Sequence, residues 1–181
     1  DSFVISKDAA VKKIDTWTCG DVIAYSGQNY KTVQIGSQCW FKENLNVGNR
    51  IAGVSNASNN GVIEKYCYDD NSAYCATDGG LYQWDEAMAY STIEGAQGIC
   101  PSGWHIPKDS EWYNLESGLA TGSCDANRSR WDCALAGTKL KLDGSSGFNG
   151  ILASSRYTDG TFDDRGANVN FWSSSESGAN A

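Results

Sequence analysis

The sequence predicts an α+β domain that is rich in loops and held by disulfide bonds, and three observations carry the prediction. Glycine is abundant, at 20 of 181 residues, and proline is rare, at 2, a balance that favours turns and irregular segments over a helical bundle. Apolar residues make up 40%, but seven Trp, nine Tyr and five Phe bring enough buried area per side chain to support a core between many loops. Seven cysteines occur with a single histidine and no C-x-x-C pair, which points to cross-links rather than a zinc site. The length suits one domain with a sizeable core.

Taken in order, residues 1–18 read as an N-terminal lead-in, with "SFVIS" followed by the charged "KDAAVKKID", and residues 19–181 as the domain. "YKTVQIG", from Tyr30 to Gly36, alternates with period two and stops at glycine, so it predicts a strand. "CWFKENL" predicts a second strand or a continuation of the first. Residues 48–61 form a polar loop, and "EKYCYDDNSAYCATDGG" a further loop fastened by its own disulfide. "LYQWDEAMAY" places Leu81, Trp84 and Met88 on one helical face. A second helix starts near Asp109: Pro107 lies just ahead, Glu111 falls in the first turn, and Trp112, Leu115 and Leu119 share a face. "GSCDANRSRWDC" is an inserted loop, and from Gly144 onward short strands alternate with long loops.

A net charge of -8 counts against nucleic acid and anionic membranes as partners, because both reward clustered Lys and Arg. No apolar run approaches the ~18 residues of a membrane span. The chain begins at Asp1 without Met or a signal-like segment, so a trimmed or processed product is expected. Cys67 with Cys75 and Cys124 with Cys133 suggest local disulfides, each contributing about 2–3 kcal/mol by restricting the unfolded chain. Cys19 with Cys39 would make a third. Such bridges imply an oxidising compartment and an extracellular or surface location, against the alternative of seven reduced cytosolic thiols. Cys100 is left over.

Four phrases, "YKTVQIGSQCWFKENLN", "GGLYQWDEAM", "QGICPSGWHIPKDSEW" and "DGTFDDRGANVNFWSSS", occur in that order. Together they resemble the Fibrobacter succinogenes major paralogous domain, a family of secreted bacterial and archaeal modules, over roughly residues 17–178. That family is similar to C-type lectin-like folds, in the branch that includes formylglycine-generating enzymes. The resemblance implies two helices packed on short antiparallel sheets. It also implies a closing strand of the type G-F-S-V-R-C after "WSSS", which this sequence does not show. Cys100 then looks like half of a disulfide whose partner lies on a missing C-terminal strand or a completing peptide. Without that strand an open sheet edge would invite aggregation.

The segment "GICPSGWHIPKDSEW" raises catalysis, since Cys100 and His105 could be a nucleophile and its base. Five residues of separation with Pro101 and Pro107 nearby do not bring them face to face, and the resemblance assigns both to scaffold. Formylglycine-generating enzymes use a reactive cysteine pair late in the chain, and residues 134–181 contain none. No catalytic residue is expected. Asp69, Asp70 and Asp78 could hold Ca²⁺, but they lack EF-hand order and read better as a solvated acidic loop. No other cofactor or metal is indicated. Asn56-Ala57-Ser58 and Asn127-Arg128-Ser129 are glycosylation sequons, a pattern common by chance.

The segment from Ser154 to Ser174, "SSRYTDGTFDDRGANVNFWSS", carries the functional expectation. In lectin-like folds the corresponding part is an exposed face. Tyr157, Phe162 and Trp172 offer rigid area, and Ser155, Asp159, Thr161, Asp163, Asp164, Asn168 and Asn170 adaptable hydrogen bonds. Arg156 and Arg165 would add bidentate donors. Trp172 could equally be a core residue within a structural W-S-S-S motif. The residue types crowding 154–170 match those produced when a diversity-generating retroelement rewrites adenine-rich codons, although any exposed glycine-rich loop shares that composition. The expectation is a non-catalytic protein on a cell or virion surface that binds a protein or glycan. Set against it are a structural module of a secreted or pilus-like assembly and, more distantly, a formylglycine-type oxidase.

Overall fold

Period-two alternation in the first third of the chain builds a three-stranded antiparallel sheet of order β1-β2-β3, with β1 Val22–Tyr25, β2 Gln28–Ile35 and β3 Gln38–Phe41. The computed structural model describes residues 17–127 and 133–176. Nearly all of the expected lead-in, residues 128–132 of the inserted loop with part of the second sequon, and the chain after Glu176 lie outside the described residues. Ser26 and Gly27 link β1 to β2 with φ 49° and 79°, the left-handed pair that a tight two-residue hairpin requires. β1 was not expected. Its alternation is weak, and Val22 is left 55% exposed, so little in the sequence marks it.

The two faces of this sheet serve different cores. Tyr30, 1% exposed, stacks on Phe41 at 5.2 Å, and Phe41 meets Trp104 at 4.2 Å. On the opposite face, Val33 and Ile35 pack with Trp40, Phe148 and Leu115 of α3, Asp109–Leu119. Leu115 is buried and Trp112 and Leu119 line the same cluster, as the helical spacing predicts. Glu111 reaches back so that its carboxylate accepts the Lys108 amide at 2.8 Å, satisfying one of the free N–H groups that open the helix. A second cluster joins Trp84, Met88, Cys100 and Ile106.

The middle of the chain departs from expectation in two ways. The segment read as a disulfide-fastened loop does carry the Cys67–Cys75 bridge, but it also forms helix α1, Ser72–Asp78. There Asn71 Oδ1 accepts the Ala73 amide at 3.0 Å, an N-cap hidden among loop-like Asp, Asn and Ser. Conversely, the helix expected over "LYQWDEAMAY" is a single turn, α2 Trp84–Ala87. Leu81 instead pairs with Tyr66 in a β-bridge, and left-handed Ala89 and Tyr90 (φ 49° and 58°) end the turn. Trp84 and Met88 are nevertheless buried together. A short α4, Ala136–Leu140, is also additional to the two helices expected. β4 Asn49–Arg50 pairs in parallel with β5 Glu64–Lys65, and β6 Ser155–Arg156 pairs antiparallel with β7 Phe162–Asp163.

All three anticipated disulfides form: Cys19–Cys39, Cys67–Cys75 and Cys124–Cys133. They fit an oxidising, extracellular setting. Among the described residues no helix is long and apolar enough to cross a membrane, and Cys100 is a free, buried thiol.

Candidate ligand-binding face

The serines after Trp172 tie the end of the described chain to the frame. Ser174 is 2% exposed; its amide donates to the Pro107 carbonyl at 2.8 Å and its hydroxyl accepts the Gly95 amide at 2.9 Å. Trp84 Nε1 donates to the Ser173 carbonyl at 2.8 Å. Trp172 itself is neither core nor free. Its indole N–H donates to the Tyr82 carbonyl at 2.8 Å while the ring stays 51% exposed. Phe171, 38% exposed, stacks on Trp112 at 5.3 Å.

Upstream, the β6–β7 hairpin carries Tyr157 to Thr161 at its tip. Asp159 Oδ1 accepts the Thr161 amide at 3.0 Å and its hydroxyl at 2.7 Å, and these bonds hold the Asp159 carboxyl below its ordinary pKa. The strand is followed by a tight turn in which Asp164 sits at φ 62° and its carboxylate accepts Asn168 Nδ2 at 3.0 Å. Asn170 donates to the Ser155 hydroxyl. Tyr157 is 46% exposed, and Asp159, Thr161, Asp163, Asp164, Asn168 and Asn170 are all exposed.

Two expected contact residues are bonded within the protein instead. Arg156 Nε donates to the Gly53 carbonyl at 2.7 Å, and its Nη2 donates to the Ser55 carbonyl at 3.1 Å and to Asn56 Oδ1 at 3.2 Å. Its guanidinium lies 4.4 Å from the centre of the Tyr66 ring. Tyr66 is fully buried, and its hydroxyl donates to the Ser55 carbonyl at 2.9 Å, so ring and arginine together grip the 53–56 loop. Arg165 makes a two-pronged bridge to Asp78, with Nη2 to Oδ1 at 3.0 Å, and covers the Tyr74 ring at 4.1 Å. Asp78 is 5% exposed. Burial alone would raise its pKa, but hydrogen bonds from Arg165 and Thr77 outweigh that and hold it below the usual value. Phe162 is half-buried, packing on Tyr68 at 5.7 Å.

The hairpin also approaches the 53–56 loop backbone to backbone. A side chain at Gly160, where φ is 88°, would meet the Gly53 carbonyl oxygen at 2.7 Å, so only glycine fits there. Sequence reasoning placed a polar loop at residues 48–61 but did not associate it with the face. The loop brings Val54, 81% exposed, alongside the hairpin, and its only signal was the sequon at Asn56, whose side chain is held by Arg156.

The remaining candidates are placed apart. Asp70 accepts the Gly53 amide at 2.7 Å and pairs with Arg50, and Asp78 is taken by Arg165, so two of the three acids weighed as calcium ligands are bonded within the protein. His105 Nε2 lies 2.8 Å from Glu111 Oε2. Cys100 packs against Trp84, Met88 and Ile106, and burial pushes its pKa up to about 12; a thiol so placed is a poor nucleophile.

One family's sequence model, described as Fibrobacter succinogenes major domain, matches residues 33–181. The chain belongs to that family. No curated protein and no solved structure matches.

Proposed function

We propose that this Fibrobacter succinogenes major domain is a non-catalytic binding module, displayed on a cell or virion surface, that takes a protein or glycan ligand on its C-terminal face. In this reading the frame is C-type lectin-like, and the face is built from Tyr157, Asp159, Thr161, Asp163, Asp164, Asn168, Asn170 and Trp172. The observation that carries the proposal is a division of labour along one segment. The guanidinium groups of Arg156 and Arg165 are committed to acceptors within the molecule, while Tyr157, Asp159, Thr161, Asp163, Asp164, Asn168, Asn170 and Trp172 are exposed to solvent on a backbone those arginines help to fix. A pre-fixed surface of aromatic and small polar groups loses little entropy on binding. Rewriting of these codons by a retroelement is part of the proposal, because only the exposed positions could change without cost to the fold.

The test is a screen of the domain against glycan and surface-protein arrays, repeated with Tyr157→Ala and Trp172→Ala. Binding that is lost in either variant, with the melting temperature unchanged, supports the face. Binding that survives both variants and a triple Asp159, Asp163 and Asp164 to Ala change would place the contact elsewhere and overturn the proposal.

A further inference from the structure

A pocket of about 330 Å³ opens beside this face, between the end of α1, the segment after α4 and the turn after β7. Its walls are Asp78, Lys141, Leu142, Ile151, Leu152 and Arg165. Gly150 and Gly166 complete the lining and contribute no side chain to fill the space. That volume is at the small end of ligand cavities and suits one monosaccharide or one amino-acid residue.

Charge narrows the occupant. Arg165 directs Nε and Nη2 at Asp78, so that pair is locally neutral and its geometry is fixed. Lys141 is exposed and its ammonium has no partner among the described residues. Among the described residues the pocket therefore carries one uncompensated positive charge, in a chain whose net charge is -8. Leu142, 60% exposed, joins the half-buried Ile151 and Leu152 in giving it an apolar wall. One unpaired cation beside an apolar surface complements one anion on an apolar or ring-shaped body.

We propose that this pocket is a subsite for a small carboxylate, which pairs with Lys141 while its body rests on Ile151 and Leu152. The inference rests on the binding reading above and names a ligand chemistry for it. An acidic sugar and a peptide C-terminus both supply that chemistry. Titrations followed by NMR of the backbone amides and methyl groups would use D-glucuronate, N-acetyl-leucine and D-glucose as probes. Saturable shifts at Leu142, Gly150, Ile151, Leu152 and Gly166 with either carboxylate support the subsite, and the probe that binds identifies the source. Lys141→Gln, a change at an exposed side chain, should weaken that binding about two- to fivefold, the value of one exposed ion pair. Equal shifts with glucose, no shift with either carboxylate, or wild-type affinity in Lys141→Gln would overturn the proposal. Tyr157→Ala separates the two readings. Lost array binding with an intact carboxylate titration concerns the face, whereas a silent pocket with Tyr157-dependent array binding refutes the subsite alone.

Discussion

Replacing Arg156 with Ala should cost the fold about 2.5–3 kcal/mol, because the side chain works as an internal clamp. The half-buried Nε bond to the Gly53 carbonyl, at 2.7 Å, is a charged-donor hydrogen bond worth about 1.5–2 kcal/mol. The two Nη2 contacts, at 3.1 and 3.2 Å, are exposed and share one nitrogen, so together they add about 0.5 kcal/mol. Its position 4.4 Å over the Tyr66 ring contributes about 0.5 kcal/mol more at this exposure. Lysine can restore one contact but not the fork or the stacking, so Arg156→Lys should fall between Ala and wild type. Urea denaturation with the disulfides intact measures these differences, and hydrogen exchange at the Gly53 and Ser55 amides should accelerate in the Ala variant. A change below about 0.5 kcal/mol, typical of an ordinary surface position, would show that Arg156 is free to act as a ligand donor and that the clamp is wrong.

Asp78→Asn should lose about 1.5–3 kcal/mol at neutral pH, the value of hydrogen bonds to a charged group, since a buried carboxylate gives up its two-pronged bridge to the exposed Arg165, and Arg165→Met should destabilise the fold in the same direction. The Asp78 carboxyl is depressed in the folded state, so its contribution is present above the unfolded carboxylate pKa and disappears as pH falls through the folded value. Wild-type stability should accordingly drop more steeply than that of Asp78→Asn below about pH 4, and parallel urea-derived curves would contradict the pairing. Cys100 should resist iodoacetamide in the native protein at pH 8, where a thiol pushed up to about 12 is almost wholly protonated. In guanidinium a thiol assay should then find one reactive group per chain, and rapid labelling of the native state would refute the burial. Trp40 is 6% exposed and its indole N–H has no partner among the described residues. Trp40→Ala should therefore cost about 3–5 kcal/mol, while Trp40→Phe, which removes the orphaned donor, should cost less than about 1.5 kcal/mol.

Long-period patterns were legible in the sequence, and pairings between distant loops were not. β2 and α3 stand out because apolar residues recur at the spacing of the element over many residues, and their members Val33, Ile35, Trp112 and Leu115 meet in one cluster. The local disulfides were readable because eight or nine residues separate each pair. α1 was hidden because its capping asparagine and neighbouring aspartates carry loop composition, and α2 was overextended because Leu81 fits a helical face equally well. The roles of Arg156 and Arg165 were misread for a physical reason. Their acceptors lie 103 and 87 residues away, and nothing local tells an arginine that clamps from one that waits for a ligand. The exposed Asp and Asn positions of the face were identified correctly as surface groups because no apolar pattern includes them.

The most direct test is deep sequencing of the coding segment for residues 150–176 across many individuals of the source population. The account predicts substitutions concentrated at Tyr157, Asp159, Thr161, Asp163, Asp164, Asn168 and Asn170, with Arg156, Gly160, Arg165 and Ser174 held fixed. Substitutions spread evenly over exposed positions of the whole domain, or falling on the two arginines as often as on their neighbours, would contradict it.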